Sequence, residues 1–180
     1  MITASDLRTI AGTTKRVPMH DELAAAFNRY AATYGVDSPK RIAEFLANVS
    51  HETGGFTRLS ENLNYSVAGL LKTFGRHRIS TADAERLGRT ATRAANQRAI
   101  ANLVYGGAWG KANLGNTQPN DGWDFRGSGP GQVTGRGNFE KVAKESGLPV
   151  VSNPDLLRQA ESGMRAALIL WQKWGLNEIA

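Results

Sequence analysis

The sequence predicts a mainly helical protein, two lobes flanking a substrate-sized cleft, with little or no β-sheet. Three observations predict it. Apolar residues recur at helical spacing in several separate windows. Strand signals are confined to two short stretches, Gln132-Val133-Thr134 and Val150-Val151. A glycine-dense run, with five glycines between positions 127 and 137, separates two helical stretches.

In chain order, Asp21 reads as the cap of a helix whose inner stripe is Leu23, Phe27, Tyr30, Ala31 and Tyr34. Ser38-Pro39 starts the next, with a cap residue followed by proline at the first helical position. Its stripe is Ile42, Phe45, Leu46 and Val49, and Gly54-Gly55 ends it. Ser66 caps a short helix through Leu70 and Phe74, and Thr81 to Glu85 opens another with acids in the first turn. A helix through Ile100, Leu103 and Val104 precedes a long loop from Gly106 to Gly131. A further helix begins near Arg136, and Asn153-Pro154 turns the chain. Met164, Ala167, Leu168, Trp171 and Trp174 give the final helix a buried stripe, with both tryptophans in the core.

One residue breaks this pattern. Three residues beyond Val49, on the face that should stay apolar, stands Glu52. A carboxyl leaving the inner face of a helix just before a glycine turn is expected at the floor of the cleft. Partial desolvation there disfavours the ionised form and raises the pKa, as a general acid requires near neutral pH. Glu61 follows nine residues later in the polar loop Ser60-Glu61-Asn62-Leu63-Asn64-Tyr65, where it is expected to be solvated and ionised. Two carboxyls in contrasting environments fit the acid and base of glycoside hydrolysis. By themselves a helix-terminal and a loop glutamate are more often surface charges.

The third segment runs from Gly122 to Phe139. Its glycines allow close approach to a ligand or tight turns, and Gln132, Thr134 and Asn138 place polar groups among them. No Gly-Lys-Ser/Thr follows, which excludes a phosphate loop, and no strand precedes it as a dinucleotide fingerprint needs.

Three motifs, His51-Glu52-Thr53-Gly54-Gly55-Phe56, Glu61-Asn62-Leu63-Asn64-Tyr65-Ser66 and Arg126 to Phe139, occur in an order that resembles the lysozyme-like endolysins of glycoside hydrolase family 19. That family is shared with plant and bacterial chitinases, and its phage branch cuts the glycan strands of peptidoglycan. The resemblance runs from about Ala24 to the end of the chain and implies a lysozyme-like two-lobed fold. It makes Glu52 the general acid, Glu61 the general base and Thr134 the hydroxyl that helps hold the attacking water. Gln132 and Asn138 match polar substrate contacts. Arg126 opens the matched glycine segment and joins the substrate-binding set. Asn62 and Asn64 stand where they could help position the water. Tyr65 and Trp123 are open to two readings, stacking on sugar faces or anchoring loops. Two departures stand out. Ser128 replaces the second arginine of the family's Arg-Gly-Arg-Gly and Pro130-Gly131 its two aliphatics, and the chain stops at Ala180, before the family's Asn-Gly-Gly segment.

The expected chemistry is single-displacement hydrolysis of β-1,4 bonds between amino sugars, with carboxyls roughly 6.5–9.5 Å apart if inverting and about 5 Å apart if retaining. Residues 1–180 read as a single catalytic domain, with no linker to a separate wall-binding domain. No cofactor is expected. His51 lacks a second histidine three residues after Glu52, the chain has no cysteine, and His20 and His77 lie far off, so no metal site is expected either. Ser60 and Ser66 lack a nearby His and Asp arrangement for nucleophilic catalysis.

A net charge of +6 implies attraction to an anionic polymer or cell envelope. The basic residues, with Arg76, His77 and Arg78 clustered and Arg86, Arg89, Arg93 and Arg98 scattered, match no nucleic-acid-binding motif and read as a solvated, wall-attracted face. The expected partner is bacterial peptidoglycan, bound by a monomer. The N-terminus lacks a signal-peptide pattern and no apolar run is long enough to span a membrane, which fits a lysin held in the cytoplasm until it is released to the wall. A chitinase of the same family and a non-catalytic glycan-binding module are the alternatives.

Overall fold

The computed structural model describes Met1–Ala180, and it is helical with no sheet. The only β-type pairings are isolated bridges, Ser60 with Ser128, Ser128 with Val133 and Ser66 with Arg89. The helices in order are α1 (Ala4–Ile10), α2 (Pro18–Tyr30), α3 (Pro39–Thr53), α4 (Val67–Thr73), α5 (Thr81–Leu87) and α6 (Gln97–Val104). They continue as α7 (Gly107–Leu114), α8 (Asp121–Asp124), α9 (Arg136–Ser146), α10 (Ala160–Lys173) and α11 (Leu176–Ile179), with short 3-10 turns at Ala32–Tyr34 and Pro154–Arg158. No helix is long and apolar enough to cross a membrane.

The chain forms two compact units. The first comprises Met1–Ser60, Gly127–Val133 and Phe139–Ala180. Its core is built on α10, packed against α2, with Leu23, Phe27, Phe45, Leu46, Met164 and Leu168 all buried. Phe45 is central, its ring centroid 5.7 Å from that of Phe27 and 5.3 Å from that of Trp171. Each such side chain contributes about 1.5–3 kcal/mol by leaving water.

The second unit comprises Glu61–Arg126 and Thr134–Asn138. Leu63, Leu70, Phe74, Ile79, Leu87, Ile100 and Val104 form its core. Serine and asparagine caps start its helices: Ser66, Ser80 and Asn96 each accept a backbone N–H in the first turn of α4, α5 and α6.

Several expectations need correction. Helix α2 starts at Pro18 with Val17 at the cap, so Asp21 sits within the first turn, where its charge favours the helix N-terminus. Helix α1 escaped notice because its one buried residue, Leu7, gives no stripe; a reciprocal cap between Thr3 and Asp6 supports it instead. The stretch expected to be a loop from Gly106 onward holds α7 and α8, and neither Gln132–Thr134 nor Val150-Val151 is a strand. Trp174 lies outside the core: α10 ends at Lys173, and the tryptophan is 54% exposed. Arg78 is not on a solvated face. Its guanidinium lies 3.8 Å from the ring centre of Trp109 and 5.0 Å from that of Phe74, and its Nε donates to the Val104 carbonyl at 3.0 Å.

Candidate active site

Glu52 is carried by the last turn of α3, which Ser38 caps at its start and left-handed Gly54 ends. The expectation of a desolvated carboxyl fails, because Glu52 is exposed. The reason is helical phase: the buried stripe closes at i+4 from Val49, on Thr53, and not at i+3, on Glu52. Thr53 has no exposed surface; its hydroxyl donates to the Val49 carbonyl at 2.6 Å and accepts from Phe56 N–H at 2.8 Å. The carboxyl one position earlier is left at the rim, on the wall of a cavity of about 290 Å³ within the first unit.

That cavity brings together residues far apart in sequence. Asn48 and Glu52 come from α3, Gln132 from the glycine segment, Trp171 from α10, Trp174 from just beyond its end and Leu176 from α11. Gln132 is held in the left-handed region at φ 45°, unusual for a residue with a side chain, and its Nε2 donates to the Gly129 carbonyl at 3.1 Å. The glycines beside it serve packing. At Gly129, with φ +71°, a Cβ would lie 2.7 Å from the Leu157 carbonyl oxygen and 2.9 Å from the Cα of Gly163. Ser128 is fully buried, and its backbone exchanges hydrogen bonds with Val133 at 3.1 and 2.9 Å.

Glu61 belongs to the second unit and is the more enclosed carboxyl, half-buried where a solvated one was expected. The Tyr105 hydroxyl donates to its Oε1 at 2.6 Å. Burial pushes the Tyr105 phenol far above its ordinary range, and the charge and hydrogen bond of Glu61 add to the shift. The phenol is therefore a standing proton donor to this carboxylate. Tyr105 was missed in the sequence because a tyrosine at a helix end carries no signal of its own; only the fold sets it opposite Glu61.

Thr134 lies in the same unit, on a segment that shares its support with Tyr105. Buried Asn116 donates to the Tyr105 carbonyl at 2.8 Å and accepts from Arg136 N–H at 2.8 Å. Arg136 in turn forms a two-pronged pair with buried Asp121, at 2.6 and 2.8 Å. Burial raises the Asp121 carboxyl, but the bonds from Arg136 and from the N–H groups of Gln118 and Thr117 outweigh it and leave the group below the usual carboxylate range. At Gly135, with φ +91°, a Cβ would come within 2.6 Å of the Leu114 carbonyl oxygen, so the turn after Thr134 can press against the end of α7.

The remaining sequence candidates divide by environment. Asn62 and Asn64 brace their own loop: Asn62 Oδ1 accepts from Asn64 N–H at 2.9 Å, and Asn64 Oδ1 from Ala95 N–H at 3.4 Å. Tyr65 packs edge-on to Phe74 at 5.5 Å. Arg126 covers one face of Trp123 at 3.8 Å and donates to its carbonyl at 2.8 Å. Asn138 donates to the Thr134 carbonyl at 2.9 Å.

No family model matches the chain. A curated relative does: the chain is 33% identical over 137 residues, 76% of its length, to a glycosyl hydrolase family 19 domain-containing protein of Haemophilus influenzae. The match covers 64% of that relative's own length.

Proposed function

We propose that this chain is a family 19 glycoside hydrolase that cuts β-1,4 bonds between the amino sugars of peptidoglycan, with Glu52 as acid and Glu61 as base. The observation that carries the reading is the cavity in the first unit. There Glu52 and Gln132, eighty positions apart and drawn from two of the three motifs, line one wall-to-wall site. Glu52 gives its proton to the glycosidic oxygen as the bond from that oxygen to the anomeric carbon breaks. Glu61 takes a proton from water, whose oxygen forms the new bond to the anomeric carbon, with Thr134 holding that water. A sugar filling the cavity would displace water from around the exposed Glu52 carboxyl. Tyr105 acts through Glu61: it fixes the carboxylate by one short hydrogen bond and is a positioning residue. In this reading the protein serves as an endolysin, kept from its substrate until it is released to the wall.

Mass spectrometry of soluble products from purified Gram-negative peptidoglycan, run beside Glu52→Gln, tests the proposal. Muropeptides released by the wild type alone are expected; muramic acid reducing ends would make it a muramidase and glucosamine ends a glucosaminidase. Release from chitin only would replace the substrate. No release from either polymer would overturn the hydrolase reading. Proton NMR of the first product anomer tests the single displacement: inversion is expected, and retention would reject Glu61 as base.

A further inference from the structure

Trp174 lines two cavities of the first unit. It lines the Glu52 cavity together with Leu176 and Gln132. It also lines a second cavity, of about 420 Å³, whose other walls are Lys141, Lys144 and Lys173. Lys141 and Lys144 are one turn apart on α9, and Lys173 ends α10. Glu145 stands among these ammonium groups; Lys173 holds it at 2.8 Å, and it feels Lys144 and Arg165 as well. The second cavity is thus cationic, and an exposed indole joins it to the cavity of the proposed acid.

This juxtaposition has a chemical meaning for the substrate. An indole half in solvent offers a flat apolar face of the kind used at binding surfaces. Lysines on flexible stems are adaptable point charges that suit mobile carboxylates more than a fixed planar partner. A neutral amino-sugar polymer would use the indole and offer the lysines no charge. A strand bearing acidic peptides would use both.

Building on the proposed hydrolase function, we propose that Trp174 and the pocket of Lys141, Lys144 and Lys173 form an accessory subsite for the carboxylates of the peptide carried by a peptidoglycan strand. The sugar occupies the Glu52 cavity, the indole supports the strand where it leaves, and the peptide falls between α9 and the end of α10. The subsite selects a peptide-bearing strand over the same glycan without peptides.

The test compares binding of soluble glycan strands with their peptides and of strands stripped by an amidase, using the Glu52→Gln chain. Peptide-bearing strands are expected to bind tighter at low salt, with the preference collapsing at high ionic strength. Lys141→Gln with Lys144→Gln should cut that preference by roughly three- to tenfold, as loss of two exposed charge contacts implies. Trp174→Ala should weaken both strands together. A preference that is absent, or that survives the double lysine change, overturns the subsite; so does full binding by Trp174→Ala. Thermal unfolding of each variant confirms that it is folded, and Lys144→Glu, which reverses a charge at an exposed site, should lower the preference further. Failure of the hydrolase reading would show separately, as no product from the wild-type chain on any polymer.

Discussion

The two carboxyls at the centre of the proposed chemistry are held in opposite ways. Glu52 rides on a rigid element, the last turn of a 15-residue helix, yet its own side chain is exposed on a cavity wall. Glu61 sits on a loop, yet its side chain is half-buried and tied by a short bond from Tyr105. In one case the backbone supplies the precision and in the other the side-chain network does. An acid that must meet a leaving group profits from an open position, whereas a base that must hold a water profits from a fixed one.

The largest effect should come from the exposed member. Glu52→Gln is expected to lower kcat about 10²–10⁴-fold, the usual contribution of a general acid, with no loss of thermal stability because the side chain is exposed. Residual turnover near wild type in a folded variant would remove Glu52 from the chemistry and leave the comparison without its first term.

The support of the second carboxyl should respond in the opposite way, through stability. Asp121→Asn breaks the pair with Arg136 inside the second unit and is expected to cost about 2–4 kcal/mol in denaturant unfolding. The pH dependence follows in sign. The folded-state pKa of Asp121 is lowered, so its stabilisation is present at neutral pH and is lost as pH falls through that lowered value. Acid unfolding should therefore be less steep in Asp121→Asn; an unchanged slope would show that other carboxyls govern it.

Tyr105→Phe separates positioning from folding. Loss of one hydrogen bond to a charged group is expected to cost about 1.5–3 kcal/mol at most, and kcat should fall about tenfold with little change in KM. Because the folded Tyr105 phenol titrates above its ordinary range near 10, its stabilisation is present below that value and is lost as pH rises above it. The variant should thus lose less stability between pH 10 and 12 than the wild type, while the fall in kcat at constant KM is the readout that a merely space-filling tyrosine would not give.

The smallest effect is expected at Gln132. Gln132→Gly relieves the positive φ, so stability should stay level or rise by up to about 1 kcal/mol, while kcat/KM falls because the amide leaves the cavity. A clear loss of stability would instead make the Gln132 amide a structural group.

Much of the fold was legible along the chain. The i, i+3, i+4 stripes of α3 and α10 and the Ser66 cap of α4 act over a few residues, and local sequence records such interactions directly. The motifs around Glu52, Glu61 and Gln132 stand in an order that resembles one family, and the proposed chemistry rests on that order. Helix α7 was not, because glycine-rich Gly107–Leu114 has almost no apolar face to announce it. Nor were the burials of the two carboxyls, which came out reversed.

The sequence alone thus determined the stripes and caps of helices such as α3, α4 and α10, and it supplies the carboxyls, amides and hydroxyls that the proposed chemistry uses. Tertiary structure decided the environment of each. It buried Thr53 in the place expected for Glu52, set Tyr105 against Glu61 across 44 positions, and left Trp174 between a carboxylate cavity and a lysine cavity. The physical reason is range. Helix phase and capping are set by neighbours within one turn, whereas exposure and hydrogen-bond partners depend on which distant segment packs alongside, and no local pattern encodes that.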